Sequence, residues 1–230
     1  MKLAIISGTS INRSEVFGNW ERFEVETEYG VVEMRRSGGI VLVHRHGFEQ
    51  NLPPHVSNYK GCFRALQQLG VDTVLTVSSV GSLKADLLPG TLVSCSDYVS
   101  FAPMTFMDKE MQGFVPEVDN GLIDEISKVA GVSIERGKVY HQTHGPRFET
   151  PAEVRILRMM ESDVVGMTFA NEADLALESG IKLNSLCMVD NLANGIESDL
   201  LTVGQFHDNV QGNQGVLDQV FSAVVARFGD

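Results

Sequence analysis

Phe148 and Glu149 stand side by side in the run Thr143-His144-Gly145-Pro146-Arg147-Phe148-Glu149-Thr150, with Ala152 and Glu153 just beyond. A flat, hydrogen-bonding heterocycle needs that pair: a ring face to stack on and an acceptor at its edge. Four other places carry groups suited to an anion. Ser7-Gly8-Thr9-Ser10 can offer backbone amides and a hydroxyl, though it also reads as a plain turn. His44-Arg45-His46-Gly47 sets a guanidinium fork, which matches a tetrahedral oxyanion, beside imidazole donors; a solvated surface cluster is the competing reading. Ser78-Ser79-Val80-Gly81-Ser82 brings hydroxyls to the end of the most apolar run, and Met167-Thr168, followed by Glu172, adds another. Hydroxyl and cationic donors at separate strand ends point to a phosphate group held beside the heterocycle.

The elements that must position these residues alternate along the chain. Strand signals cover residues 2–7, 23–27, 31–35, 39–44, 71–77, 91–99, 138–143, 164–167 and 183–189. Helical spacing covers 58–69, which stops at Gly70, and 122–129, 151–160, 171–179 and 203–228, the last interrupted by Gly212 and Gly215. The unbroken apolar run 71–77 is what a sheet covered on both faces requires. The pattern predicts one α/β domain over residues 1–230, with a mixed, twisted central sheet flanked by helices. Sites in such sheets gather at the carboxyl ends of strands.

Composition narrows the partners. The 230 residues, 43% of them hydrophobic, can bury a full core. With 18 Lys and Arg against 30 Asp and Glu, the net charge of −12 argues against nucleic acid, which demands clustered basic residues. Phosphate binding in so acidic a chain calls for a focused cationic pocket. No apolar run approaches the roughly 18–20 residues of a membrane span. Residues 1–7 read as a first strand and not as a signal peptide, so the cytoplasm is the expected location. Cys62, Cys95 and Cys187 are odd in number, far apart and set among apolar residues, which suggests reduced core thiols, with neither a disulfide framework nor a metal site.

In order along nearly the whole chain, these motifs resemble the trimeric purine nucleoside phosphorylases and their methylthioadenosine phosphorylase relatives. The resemblance is carried by Ser7-Gly8-Thr9-Ser10, Arg45-His46-Gly47, Asn58-Tyr59 with Ala65-Leu66, Gly81-Ser82-Leu83 followed by Pro89-Gly90, and Gly145 to Thr150. Gly166-Met167-Thr168 with Glu172 and Ala176-Leu177 completes it. The resemblance implies reversible phosphorolysis of an N-glycosidic bond, with inorganic phosphate as co-substrate and neither cofactor nor metal. It also implies a homotrimer. Thr9, Arg45, His46, Ser79 and Thr168 would contact phosphate, Met167 would pack under the ribose, and Phe148 would flank the purine. Asn191, His46 and Asp190 are the catalytic candidates. The segment with Val203 and Phe206 would cover the nucleoside 5′ end, and Phe114 would reach into a neighbouring subunit's pocket from a stretch that is shorter here than in typical members.

The base follows from one comparison within the family. Adenine-specific members carry Thr-Asp-Tyr-Asp where this chain has Asp190-Asn191-Leu192-Ala193, so both carboxylates are replaced, by Asn191 and Ala193. Members acting on 6-oxopurines carry Thr-Asn there, with Phe-Glu upstream. Asn191 would donate to N7 and O6 while Glu149 accepts from N1–H. A buried group facing the wrong edge costs about 1–3 kcal/mol, so hypoxanthine or guanine is expected over adenine. Asp190 has three readings: it orients Asn191, it contacts the purine itself, or it is a turn or capping residue. A methylthioadenosine phosphorylase and a phosphate-independent nucleosidase or binding protein are the alternatives.

Several residues have plainer readings. His141 and His144 read as structural, His207 as helix surface, and the stretch from Met104 to Met111 as packing. Phe206 suits a 5′-methylthio group and His207 a 5′-hydroxyl, so the sequence leaves the 5′ substituent open. Ser78-Ser79-Val80 and Asn171 depart from the family pattern.

Overall fold

A computed structural model describes residues 1–109, 112–197 and 201–229. Strands β1 (Leu3–Ser7) and β4 (Ile40–His44) are buried at every position, as their continuous apolar runs require. They pair in parallel, while β2 (Glu21–Thr27) and β3 (Gly30–Ser37) form an antiparallel ribbon on the outer side of β4. On its other side β1 pairs in parallel with β5 (Thr73–Ser82).

Beyond β5 the sheet curls. Strands β6 (Leu92–Val99), β7 (Ile134–Gln142), β8 (Val164–Gly166) and β9 (Lys182–Leu192) complete nine strands in the order β2-β3-β4-β1-β5-β8-β7-β6-β9. Because β9 also pairs with β5, the five strands from β5 to β9 close into a ring. The sheet is mixed: β5 with β9 and β7 with both β6 and β8 are parallel, whereas β5–β8 and β6–β9 are antiparallel.

Two helical layers cover this sheet. Side chains alternate across β1, so Ala4 and Ile6 join one core cluster and Leu3 and Ile5 the other. The first cluster holds α1 (Tyr59–Gln68) and α4 (Phe169–Ser179); the second holds α2 (Ile123–Ala130) and α5 (Val203–Phe228). A third, smaller cluster seats α3 (Pro151–Met159), whose first turn is closed by a capping box between Thr150 and Glu153.

The mixed α/β fold is the one expected, but several bounds differ from the sequence reading. Strand β5 runs on through Ser82 and β9 through Leu192, so Ser78 to Ser82 and Asp190-Asn191 lie inside paired strands. Helix α5 is continuous over 26 residues; Gly212 and Gly215 do not interrupt it. Each interior glycine costs about 1 kcal/mol of helix propensity. Burial of Val210, Leu217, Val220, Phe221 and Val224 outweighs that cost.

Candidate active site

The ends of β1, β4, β5, β8 and β9 converge on one cavity, roofed by the loop before α3 and by the first half of α5. Thr9, Arg45, His46, Ser79 and Thr168 all line it. A Cβ at Gly8 would meet His46 Nε2 at 2.8 Å and Arg45 Nη1 at 3.2 Å, so only glycine lets the β1 turn pass so close. Nothing among the described residues bonds the Thr9 hydroxyl. Thr168 Oγ1 lies 3.2 Å from Ser78 Oγ at the start of α4, where Tyr140 and Gln142 already accept the first free N–H groups of the helix.

Arg45 is not the solvated residue that a surface cluster would make it. Its side chain and that of Glu172 are 3% and 1% exposed and form a two-pronged ion pair, Nε to Oε1 at 2.6 Å and Nη2 to Oε2 at 3.0 Å. Nη1 also donates to the Val77 carbonyl and Nη2 to Thr76 Oγ1. Burial disfavours the guanidinium charge, but the Glu172 carboxylate more than offsets it and holds Arg45 protonated. One Nη1 hydrogen remains for the cavity. Burial, reinforced by Arg45, pushes His46 down to about 4, and burial together with the neighbouring charges pushes His44 down to about 3. Both imidazoles are neutral at neutral pH. The one guanidinium among the described lining residues, Arg45, is thus paired with Glu172 and does not form the focused cationic pocket expected from the sequence; the hydroxyls of Thr9, Ser79 and Thr168 and the neutral His46 ring line the cavity beside it.

Phe148, Glu149, Met167 and Asn191 line the same cavity. Phe148 and Phe206 meet edge to face with ring centroids 5.3 Å apart. Glu149 is buried, and its Oε1 accepts from the Thr143 hydroxyl at 2.7 Å, leaving Oε2 for a ligand. Asn191 donates one amide hydrogen to the Leu192 carbonyl at 2.9 Å and keeps the other. Met167 packs against Gly145, where φ is +68° and a Cβ would lie 2.5 Å from the sulfur.

A β-bulge explains how two adjacent strand residues reach one cavity. In the β5–β9 register Val80 faces Val189 and Gly81 faces Asn191, so Asp190 is the extra residue. Neighbours on a regular strand point to opposite faces; the bulge re-aims one of them, and Asp190 and Asn191 both line the cavity. Asp190 does not orient Asn191. Its carboxylate accepts from the Ser79 hydroxyl and from Asn213 Nδ2 of α5, the latter at 2.8 Å.

Other expected residues fall elsewhere. Val203 is 62% exposed and outside the cavity, whose α5 wall is Phe206, Val210 and Leu217, with Leu201 ahead of the helix. His207 is exposed and also outside it. Phe114 lies along a separate groove with Arg64 and Glu178. His141 is buried with Nδ1 3.1 Å from Ser162 Oγ, and exposed His144 packs its ring on His55. Met104 and Phe106 donate their amides to Asp174 and Glu178 of α4; Met111 lies outside the described residues. The three cysteines are buried and free, and burial pushes the Cys62 thiol up to about 12.

Three residues were missed by the sequence reading as parts of the site. Glu172 neutralises Arg45, Asn213 tethers Asp190, and Asn194 links two walls: its Nδ2 donates to the Glu149 carbonyl at 2.8 Å and its Oδ1 accepts from Leu201 N–H at 2.9 Å. Only Glu172 left a sequence signal, as a charge on the buried face of α4.

Comparison with known proteins agrees with this geometry. A family model described as the phosphorylase superfamily matches residues 2–226. A Moorella thermoacetica protein named probable 6-oxopurine nucleoside phosphorylase is 33% identical, over 97% of this chain and 92% of its own. A Methanocaldococcus jannaschii protein named probable S-methyl-5′-thioinosine phosphorylase is 36% identical, over 91% of this chain and 86% of its own. Among solved structures, methylthioadenosine phosphorylase from Schistosoma mansoni in complex with adenine superposes with a TM-score of 0.83 at 20% identity, over 100% of this chain and 92% of the other, which shows a shared fold.

Proposed function

The chain belongs to the phosphorylase superfamily, and from that premise we propose that it is a purine nucleoside phosphorylase, a pentosyltransferase that cleaves 6-oxopurine nucleosides with inorganic phosphate. The products are the free base and the 1-phosphate of ribose or of 5-methylthioribose. The observation that carries this reading is the single cavity lined both by Phe148, Glu149 and Asn191 and by Thr9, Arg45, His46 and Thr168.

The chemistry uses these groups without a protein nucleophile. As the glycosidic bond breaks, the sugar gains oxocarbenium character and the leaving purine gains negative charge. Asn191 would donate to N7 and O6 as that charge develops, and Glu149 Oε2 would accept from N1–H. Phosphate would sit below the anomeric carbon on the Thr9 and Thr168 hydroxyls, His46 and the remaining Arg45 N–H. Met167 would pack under the ribose. Holding two reactants in line contributes about 7–11 kcal/mol of the barrier reduction in favourable cases.

Two observations refine the substrate. The Asp190 carboxylate is taken by Ser79 and Asn213, which weakens the adenine-directed reading in which it binds the base. The lining by Leu201, Phe206 and Val210, with His207 outside, favours a 5′-methylthio group over a hydroxyl. A homotrimer in the cytoplasm, with Phe114 completing a neighbour's pocket and no cofactor, belongs to the same reading; light scattering tests the trimer. No helix of the described residues is long and apolar enough to cross a membrane.

Cleavage of inosine, 5′-methylthioinosine and 5′-methylthioadenosine, each with and without phosphate, tests the function. Phosphate-dependent cleavage of the two inosines, methylthioinosine the faster, is expected. Turnover of methylthioadenosine alone would overturn the base assignment, and phosphate-independent turnover would overturn phosphorolysis.

A further inference from the structure

Asp190 is a buried carboxylate with no cation beside it among the described residues. Ser79 on β5 and Asn213 on α5 hold it, Leu217 packs nearby, and neither strand nor helix brings a charged side chain against it. The charged or titratable groups sharing its cavity are Arg45, already paired with Glu172, neutral His46, and Glu149 on the loop before α3. Ser79 meanwhile is exposed and lines the same cavity as Thr9, Ser78 and Thr168.

A hydroxyl has one proton to give. While Asp190 is ionised, the Ser79 O–H must point at the carboxylate, and Ser79 shows an incoming anion only lone pairs. When Asp190 takes a proton on Oδ2, the direction of that bond reverses: the carboxyl donates to Ser79 Oγ, and the Ser79 O–H turns into the cavity. Asn213 remains bonded to Oδ1 in both states.

We propose that Asp190 is a proton-controlled positioning residue for phosphate: its protonation converts Ser79 from an acceptor into a donor at the anion site, so phosphate and one proton bind together. The inference rests on the phosphorylase reading above. Burial favours the neutral carboxyl and raises Asp190 above the ordinary aspartate value, which brings the switch toward working pH; the Ser79 and Asn213 bonds pull the other way without cancelling the rise. The bulge that places Asp190 beside Ser79 gives the device its geometry. The same device reconciles phosphate binding with a pocket whose only guanidinium, among the described lining residues, is already neutralised.

Asp190→Asn tests this, because the amide keeps the shape and mimics the protonated acid: Oδ1 accepts from Asn213 and Nδ2 donates to Ser79. The phosphate KM of wild type and D190N is measured from pH 5 to 9, and the ratio of the two cancels the ionisation of phosphate itself. D190N should have the lower KM at high pH, by about 10- to 150-fold for one hydrogen bond to an anion, with the advantage disappearing as pH falls. In a Ser79→Ala background the same substitution should gain nothing. If D190N does not fold, the S79A to wild-type KM ratio carries the test and should grow as pH falls. A pH-independent ratio in both comparisons overturns the proton switch while leaving phosphorolysis intact; turnover that ignores phosphate overturns the function itself.

Discussion

At the scale of single residues, the proposed specificity would rest on which atom of Asn191 faces the base. The amide keeps a hydrogen for a 6-oxo edge after bonding the Leu192 carbonyl. Asn191→Asp replaces that donor with an acceptor, so it should move the ratio of inosine to adenosine kcat/KM toward adenosine by about 5- to 150-fold, following the 1–3 kcal/mol of a mismatched buried group. An unchanged ratio would mean that Asn191 does not read the base. Glu172 offers a stability test. Glu172→Ala leaves the Arg45 guanidinium buried without its partner, and breaking a buried pair in this way costs about 3–5 kcal/mol. Urea unfolding should show the loss as a lower midpoint at unchanged slope. Residue types that do chemistry were legible in the sequence; their partners were not. Nothing within reading distance of Arg45 indicates that a glutamate 127 positions away pairs with it through two N–H donors.

Secondary-structure elements act here through the short links between them. Asn194 ties the loop carrying Glu149 to the segment carrying Leu201, so two walls of the cavity move as one. Asn194→Ala frees both, and the nucleoside KM should rise about tenfold for two lost hydrogen bonds near 0.5–1.5 kcal/mol each, while the phosphate KM stays put. Equal change in both constants would point to general loosening of the fold instead. The element order was legible because apolar periodicity follows burial: β1, β4 and α1 fall where the pattern puts them. Strand ends were less so. Ser78 to Ser82 and Asp190-Asn191 look like turn residues because they are small or polar, yet pairing with a neighbouring strand keeps them extended. A bulge is invisible in one strand's sequence, since it exists only in the register of two. The glycines of α5 misled for a related reason: propensity is local, whereas the contacts of Leu217 and Phe221 that hold the helix are not.

For the whole molecule, the two neutral histidines that flank Arg45 tie stability to pH. His44 and His46 protonate near 6.5 in the unfolded chain but only near about 3 and about 4 in the fold, because burial resists the charge. Between pH 6.5 and about 4 the unfolded chain therefore binds more protons, and stability must fall as pH falls, by up to about 1.4 kcal/mol per pH unit for each histidine. Asp190 and Asp174 act with the opposite sign: burial raises both, so the fold takes up their protons first and recovers some stability as acid is added. Their contribution enters below the histidine window's upper end, where the unfolded aspartates are still ionised. Urea midpoints should consequently drop as pH falls from 7 toward 4, with the two aspartates offsetting part of the loss at the acid end. His44→Asn removes one of the two titrations yet keeps an acceptor for the His46 N–H that His44 Nδ1 now takes at 3.1 Å. Its midpoint should depend on pH about half as steeply over that interval, and a slope equal to wild type would mean that His44 is not held neutral by the fold. The fold is most stable with both imidazoles uncharged, and the Asp190 proton, like that of Asp174, is taken up without opposing it.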